Sequence, residues 1–447
     1  MTLPDKTAEP KRYGLIAGWG NYPLLIARSL KREGHSVFCL GVAGHADGVA
    51  LRRICDVYQE MGLGRFGAAV RFFRKYQVAE ATMAGKVFKK ILLRPGLVWR
   101  HLPDLYTFSV FFPLFLARKT DLKDDTLLIT ATKGFEKKGV KLLPATNLAP
   151  NLLLPPGDLT RRVLAAADYD DVRMAWPLAR EIGRLDFGQA VMVKNRRILA
   201  IEGIDGTDDT IARAGVAAQG RPFTIVKVAK PCQDMRFDVP AVGVRTLEKM
   251  VKSGADILIV EANRTLCVDP LEDFVERADS LGIAVVSLSE AQHGIVVPAE
   301  ILPQKTELFS LTKARPTPHQ MKDILCGLPV MRSLLRFGVA GCVTIRERSV
   351  LAVQSMGESV IETILRTKEL APDGFTVLLG RSDEGENDLP SFENLIENIV
   401  RARGKVLAFA GDVFGEGIDL LLRAADARRL PVVRTENSLQ NVEVPTN

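Results

Sequence analysis

The stretch "RYGLIAGWGNYPLLIARSLKREGHSVFCLGV", residues 12–42, decides the fold. It opens on a short apolar run, breaks at Gly18 and Gly20, continues with apolar residues at helical spacing, and closes on a second apolar run. Strand, glycine turn, helix and strand in that order form an α/β unit on a parallel sheet. The pattern continues outward. "VRFFRKYQVAEATMAGKV" (70–87) predicts a helix and a strand, and "DDTLLITATKGFEKKGVKLLPAT" (124–146) a helix and then a strand. A first, Rossmann-like α/β domain is therefore expected over 10–155, closing where Pro155, Pro156 and Gly157 break the pattern.

A second α/β domain is expected over 156–295. "MAWPLAREIGRLDFG" (174–188) predicts a helix, and "QAVMVKNRRILAIE" (189–202) a β-hairpin turning near Asn195. Helices and strands then alternate to residue 288. Residues 296–447 repeat this second unit in weakened form. "FGQAVMVKNRRILAIE" (187–202) corresponds to "FGVAGCVTIRERSVLAVQ" (337–354), and "FTIVKVAKPCQDMRFDVP" (223–240) to "FTVLLGRSDEGENDLP" (375–390). Order and element type match, as in a degenerate internal duplication. The polar residues fade: Glu202 becomes Gln354, Lys230 and Arg236 lose their counterparts, and Asp238 keeps one in Asp388. The third unit reads as a non-catalytic copy kept for packing or dimerisation.

The totals describe an ordinary globular protein of 447 residues, with 47% hydrophobic and 25% charged residues. A net charge of +7 suits an anionic partner without choosing among nucleotide, phospholipid surface and nucleic acid. No basic stripe with interleaved aromatics supports nucleic acid. The six cysteines have no CxxC spacing, which argues against zinc and fits a reducing cytoplasm. The polar start "MTLPDKTAEP" does not read as a signal peptide, and no run reaches the roughly 20 apolar residues of a membrane span.

Several loops carry candidate chemistry. "AGWGNYP" (17–23) sets Gly18, Gly20 and Asn21 between strand and helix, where backbone N–H groups can approach a phosphate; a tight turn is the plain alternative. Pro23 and the strand end Leu40-Gly41-Val42 depart from the dinucleotide fingerprint, which disfavours an NAD-dependent oxidoreductase. In "AGKVFKK" (84–90), Lys86 is best placed for an anion. Asp124 and Asp125 open a helix, and helix capping explains them equally. "IEGIDGTDD" (201–209) offers Glu202, Asp205, Thr207 and Asp208 around Gly206, a set that suits Mg²⁺ or a helix cap. Gln189 enters a strand and is placed to read a base or sugar, or lies on the surface.

"KPCQDMRFDVPAVG" (230–243) is the densest. Lys230 or Arg236 can offset phosphate charge, and Asp238 can hold Mg²⁺ or act as general base. The alternative is a brace in which Arg236 pairs with Asp234 or Asp238.

Together "YGLIAGWGNYPLLIA", "AGKV", "KDDTLL", "AREIGRLDFGQAVMVK", "ILAIEGIDGTDDTI", "KPCQDMRFDVPAVG" and "VEANRT", in this order over about residues 10–290, resemble the LpxI-type UDP-2,3-diacylglucosamine pyrophosphatases of lipid A synthesis. The resemblance implies a nucleotide-binding domain followed by a lipid-holding domain. It also implies Mg²⁺-dependent attack of water on the α-phosphorus of UDP-2,3-diacylglucosamine, releasing UMP and 2,3-diacylglucosamine 1-phosphate (lipid X). The central aspartate of the family's RxDxP motif falls on Asp238, its GTD on Gly206, Thr207 and Asp208, and its DD on Asp124 and Asp125. On this reading the metal, Mg²⁺ or another divalent ion such as Mn²⁺, is expected at Asp238, Asp208 and Glu202. Lys230, Lys86 and Arg236 then meet the diphosphate, while the glycine loop and Gln189 seat the nucleotide.

Two features lie outside the resemblance: the third unit, and the apolar, basic segment 89–119 with Arg100, Arg118 and Lys119. That segment suits contact with an anionic inner-membrane surface, or a buried helix pair. The expectation is a cytoplasmic, peripherally membrane-associated hydrolase that admits a homodimer. The alternative from another class is a non-catalytic protein that binds a nucleotide-sugar lipid.

Overall fold

The computed structural model describes residues 10–88, 98–116, 124–231, 233–237, 239–290, 306–339, 341–380, 391–411 and 417–435. The chain divides into two compact units. The first is Met1–Pro155 joined by Gln233–Gly243 and Asn263–Phe274; the second is Pro156–Cys232, Val244–Ala262 and Val275–Asn447.

The first unit is a parallel sheet flanked by helices. Its elements are β1 (Arg12–Ala17), α1 (Tyr22–Arg32), β2 (Ser36–Val42), α2 (Gly48–Ile54), β3 (Val57–Met61), α3 (Phe66–Lys75), β4 (Glu80–Ala84), α4 (Leu105–Leu116), α5 (Asp124–Glu136), β5 (Lys141–Leu142) and the short α6 (Ala145–Leu148). The strand order is β3-β2-β1-β4-β5. β1 and β2 are apolar on consecutive residues because helices cover both faces. One face packs Leu15, Ile26, Leu30 and Leu51, and the other Leu40, Phe72, Phe73 and Phe135. α4 packs one side on α5 through Tyr106 and Val110 and leaves the other side open; residues 89–97 and 117–119 lie outside the described residues. Leu105, Phe108 and Phe112, which share a helical face, are 91%, 56% and 44% exposed, and nearby Trp99 is 71% exposed.

Two segments distant in sequence complete this unit. The short strands β10 (Ala241–Val242) and β12 (Leu266–Cys267) pair in parallel, and Leu154 N–H donates to Thr265 O at 2.9 Å.

The second unit holds two six-stranded sheets. The first comprises β6 (Gly157–Asp158), β7 (Ala190–Lys194), β8 (Arg197–Ile201), β9 (Phe223–Lys227), β11 (Ala255–Glu261) and β13 (Ala284–Leu288). Around it run α7 (Ala166–Arg184), α8 (Thr207–Ala218), α9 (Val244–Ser253) and α10 (Leu271–Ser280), of which only the end of α10 falls in this unit. The other sheet comprises β14 (Leu308–Ser310), β15 (Gly341–Arg346), β16 (Ser349–Val353), β17 (Phe375–Gly380), β18 (Gly404–Ala410) and β19 (Val432–Thr435). Its helices are α11 (Pro318–Arg336), α12 (Val360–Leu370), α13 (Phe392–Arg401) and α14 (Ile418–Ala427).

The orders are β6-β13-β11-β9-β7-β8 and β14-β19-β18-β17-β15-β16, and they agree strand for strand in direction. Both hairpins turn on two left-handed residues without glycine, Asn195-Arg196 and Glu347-Arg348. Both leading helices contain an inner proline, Pro177 and Pro329. A single apolar core runs through both sheets, joining Trp176, Leu178, Val191 and Ile257 to Met331, Leu334, Ile345 and Leu378.

Candidate functional site

In the first unit the chain passes from β1 to β2 on one side, while β4 lies on the other. The carboxyl ends of β1 and β4 thus frame a topological switch point, where open α/β sheets bind ligands. Backbone pairing closes the frame. Gly18 N–H donates to Ala84 O at 2.7 Å, Trp19 N–H to Lys86 O at 2.8 Å, and Lys86 N–H to Trp19 O at 3.0 Å. The structure thereby brings Gly18, Gly20, Asn21 and Lys86 together. The two glycines are needed for different reasons. A Cβ on Gly18 would lie 2.7 Å from Lys86 O, whereas Gly20 has open space but a φ of +106°. Asn21 ends the loop as the N-cap residue of α1, and its side chain makes no capping bond.

Three residues here carried no sequence signal. Trp19 (45% exposed) and Phe88 (39%) meet edge to face at 5.4 Å, and buried His45 accepts from Phe88 N–H through Nε2 at 3.0 Å. A single aromatic or histidine has no periodicity to reveal it. Lys89 and Lys90 lie outside the described residues, as do the side chains of Asp124 and Asp125, whose backbones open α5.

The loop 233–237 also belongs to the first unit. Arg236 clasps Asp234 in a fork, Nε to Oδ1 at 2.9 Å and Nη2 to Oδ2 at 2.6 Å. The Arg236 hydrogen bond holds the Asp234 carboxyl below its ordinary range, and the same bond raises the guanidinium. The brace read from sequence is present, with Asp234 as the partner of this cation. Asp238 lies outside the described residues.

In the second unit a polar network sits at the end of β8 and β9. Thr207 Oγ1 donates to Glu202 Oε1 at 2.6 Å, Lys227 Nζ donates to Thr207 Oγ1 at 3.1 Å, and Gln189 N–H donates to Glu202 Oε2 at 2.9 Å. Glu202 and Lys227 are buried. Gln189 Oε1 is buried without a hydrogen-bond partner among the described residues. Lys227 escaped the sequence reading because, inside "FTIVKVA", it reads as one polar position in a strand. Lys230 lies just beyond, its Nζ 2.8 Å from Asp186. The start of that loop is fixed from beneath: Arg180 reaches Glu290 at 2.5 Å, Glu261 at 3.3 Å and Ala229 O at 3.0 Å, and Ala229 N–H donates to Glu261 at 2.7 Å.

The third sheet keeps the scaffold of this network and not its charges. Gln354 Oε1 accepts from Cys342 N–H at 3.0 Å, a backbone bond one position along from the one Glu202 takes from Gln189. Leu379 pairs with Cys342 as Lys227 pairs with Ala190, and Val360 begins its helix as Thr207 does.

The expected metal set is only partly placed. Each Glu202 oxygen accepts one hydrogen bond, from Thr207 and from the Gln189 N–H, which leaves a lone pair on each oxygen. Asp208 is exposed in the first turn of α8. Among the described residues no three His, Cys, Asp or Glu side chains gather as a metal site, and no helix is long and apolar enough to cross a membrane.

Fold and residues together define a mixed α/β protein whose first unit is a parallel sheet with helices on both faces. The chain belongs to the LpxI family. The LpxI N-terminal domain matches residues 12–152 and the LpxI C-terminal domain residues 155–286. The UDP-2,3-diacylglucosamine pyrophosphatase LpxI of Caulobacter vibrioides is 30% identical over 285 residues, which cover 62% of this chain and 98% of the relative. The third sheet lies beyond both domain matches.

Proposed function

We propose that the protein hydrolyses UDP-2,3-diacylglucosamine to UMP and lipid X in lipid A biosynthesis. The likeness to LpxI over 98% of that relative's length carries this reading. A water oxygen bonds to one phosphorus of the diphosphate as the bond from that phosphorus to the bridging oxygen breaks, and attack at either phosphorus yields UMP and lipid X. The bridging oxygen leaves on the other phosphate, and the water's proton passes to Asp238 as general base. Gly18, Gly20, Asn21 and Lys86 bind the nucleotide phosphate from the switch point. Glu202 and Lys227 hold Thr207 for the substrate, and Lys230 adds positive charge. Asp238, Asp208 and Glu202 would hold a divalent ion, Mg²⁺ or Mn²⁺, that would neutralise phosphate charge.

By chain order we assign 10–155 to the nucleotide, 156–295 to catalysis and lipid, and 296–447 to a degenerate copy, a division that the compact units cross at 233–243 and 263–274. Support for the copy is the matching strand order with Lys227, Thr207 and Glu202 replaced by Leu379, Val360 and Gln354. A peripheral position on an anionic inner-membrane surface, from the cytoplasmic side, is supported by the exposed apolar face of α4 and by Trp99.

The test is UMP release by wild type, Asp238→Ala and Asp388→Ala, with and without Mg²⁺. Metal-dependent release lost only in Asp238→Ala is the expected result. Binding without release by wild type, across several divalent metals, would make the chain a binding protein instead.

A further inference from the structure

The region beyond the family match meets the candidate site through an ionic cluster. Arg213 on α8 pairs with Asp205. Arg366, on α12 of the third sheet, reaches the same Asp205 oxygen, Nη1 to Oδ2 at 3.3 Å. Arg366 also forks onto Glu358, Nε to Oε1 at 2.9 Å and Nη2 to Oε2 at 3.1 Å. The two arginines are equivalent in their sheets. Arg213 Nη2 caps Ile201 O at 3.3 Å, the last residue of β8, and Arg366 Nη2 caps Val353 O at 3.1 Å, the last residue of β16. Arg213 crosses to Ser355 as Arg366 crosses to Asp205. The two halves thus meet about a quasi-twofold relation within one chain. The side chains of all four charged members are less than 20% exposed. Burial, and then the neighbouring Arg366 charge, draws Arg213 below its ordinary pKa, so the two carboxylates are needed to hold both cations.

A second contact falls on the same loop. A Cβ on Gly203 would lie 3.0 Å from Leu351 O on β16, and Met356 N–H donates to Leu199 O on β8 at 2.8 Å. The segment Gly203–Gly206, which launches α8 and sets Thr207, is therefore clamped by the third sheet at both its glycine and its aspartate.

We propose that Arg366 is a positioning residue for the candidate site: through Asp205 it fixes the loop that presents Thr207 and Asp208 to substrate. The fused copy thus supplies from within the chain a contact that a chain ending near residue 290 would lack, and the homodimer admitted by the sequence is not required to cover this face.

This inference rests on the proposed hydrolysis for its kinetic arm alone. The experiment compares full-chain wild type, Arg366→Ala and Arg366→Lys by amide hydrogen exchange at residues 203–208 in the free protein, and by UMP release. Expected for Arg366→Ala are exchange faster by about tenfold, equivalent to about 1.4 kcal/mol, and a KM raised about as much while kcat falls less, with Arg366→Lys recovering part of both. Exchange and KM both within twofold of wild type would overturn the proposal, as would a lowered melting temperature with KM and exchange unchanged. If Arg366→Ala does not fold, Arg366→Lys carries the same outcomes. If wild type releases no UMP, the proposed function falls and exchange alone decides the role of Arg366.

Discussion

Asp171 and Asp323 perform the same task in two different sheets. Asp171 on α7 accepts the N–H groups of Asn195 and Arg196 at the β7–β8 turn, at 3.1 and 2.5 Å. Asp323 on α11 accepts from Arg348 N–H at 2.8 Å at the β15–β16 turn. Each turn uses non-glycine residues at positive φ, and a helix carboxylate satisfies the amides that such a turn leaves unpaired. Burial pushes both carboxyls above their ordinary range despite those bonds.

That shift fixes the sign of a pH effect. A raised folded value means the native state keeps its proton longer than the unfolded chain. Their contribution is present below the ordinary value of 3.8 and is lost as pH rises through the raised folded values. Denaturant unfolding of Asp171→Asn and Asp323→Asn should give flatter stability curves across that window. Replacement by Ala should cost about 1–3 kcal/mol each at neutral pH, because the turn amides lose their acceptor.

Lys227→Leu tests the buried network. The third sheet tolerates Leu379 at the matching place, so the variant should fold. Loss of the Lys227 bond to Thr207 should lower UMP release by tenfold or more, on the order of 1.5–3 kcal/mol for a broken charged hydrogen bond. Release within twofold of wild type would remove Lys227 from the site.

The glycine loop gives a paired comparison. Gly18→Ala drives a Cβ against Lys86 O and should cost about 1–3 kcal/mol while abolishing UMP binding. Gly20→Ala meets no atom and should cost about 1 kcal/mol through its left-handed backbone alone. Thermal unfolding and UMP titration separate the two.

Arg236→Ala should loosen the 233–237 loop with a small effect on global stability, about 1 kcal/mol or less for a partly exposed pair. The Asp234 carboxyl lies below its ordinary range, so the pair stabilises above pH 3.8 and fades as pH falls through the folded value. Hydrogen exchange at 233–237 in wild type should therefore quicken in acid relative to the intrinsic rate, and not in the variant.

The exposed face of α4 predicts vesicle binding. Co-sedimentation with vesicles containing anionic lipid should fall at least tenfold in a Leu105→Ser, Phe108→Ser, Phe112→Ser triple variant, since even partial insertion of three apolar side chains at about 1.5–3 kcal/mol each when fully buried exceeds the ~1.4 kcal/mol of a tenfold change. Equal sedimentation of variant and wild type would remove this helix as the contact.

The sequence by itself determined the elements: the parallel unit at 12–42, the hairpin turning at Asn195, the alternation through residue 288 and the motifs that resemble LpxI. Those signals are local, because helical and strand periodicity, glycine turns and loop motifs are written in neighbouring residues. The tertiary structure alone decided the partners. It set Arg236 on Asp234, buried Lys227 against Thr207, drew Lys86 to Trp19, placed the 233–243 loop in the first unit, and carried Arg366 to Asp205 across 161 positions of chain. A charge inside an apolar strand has no sequence marker for its partner, because strand order, rather than chain order, sets which residues meet.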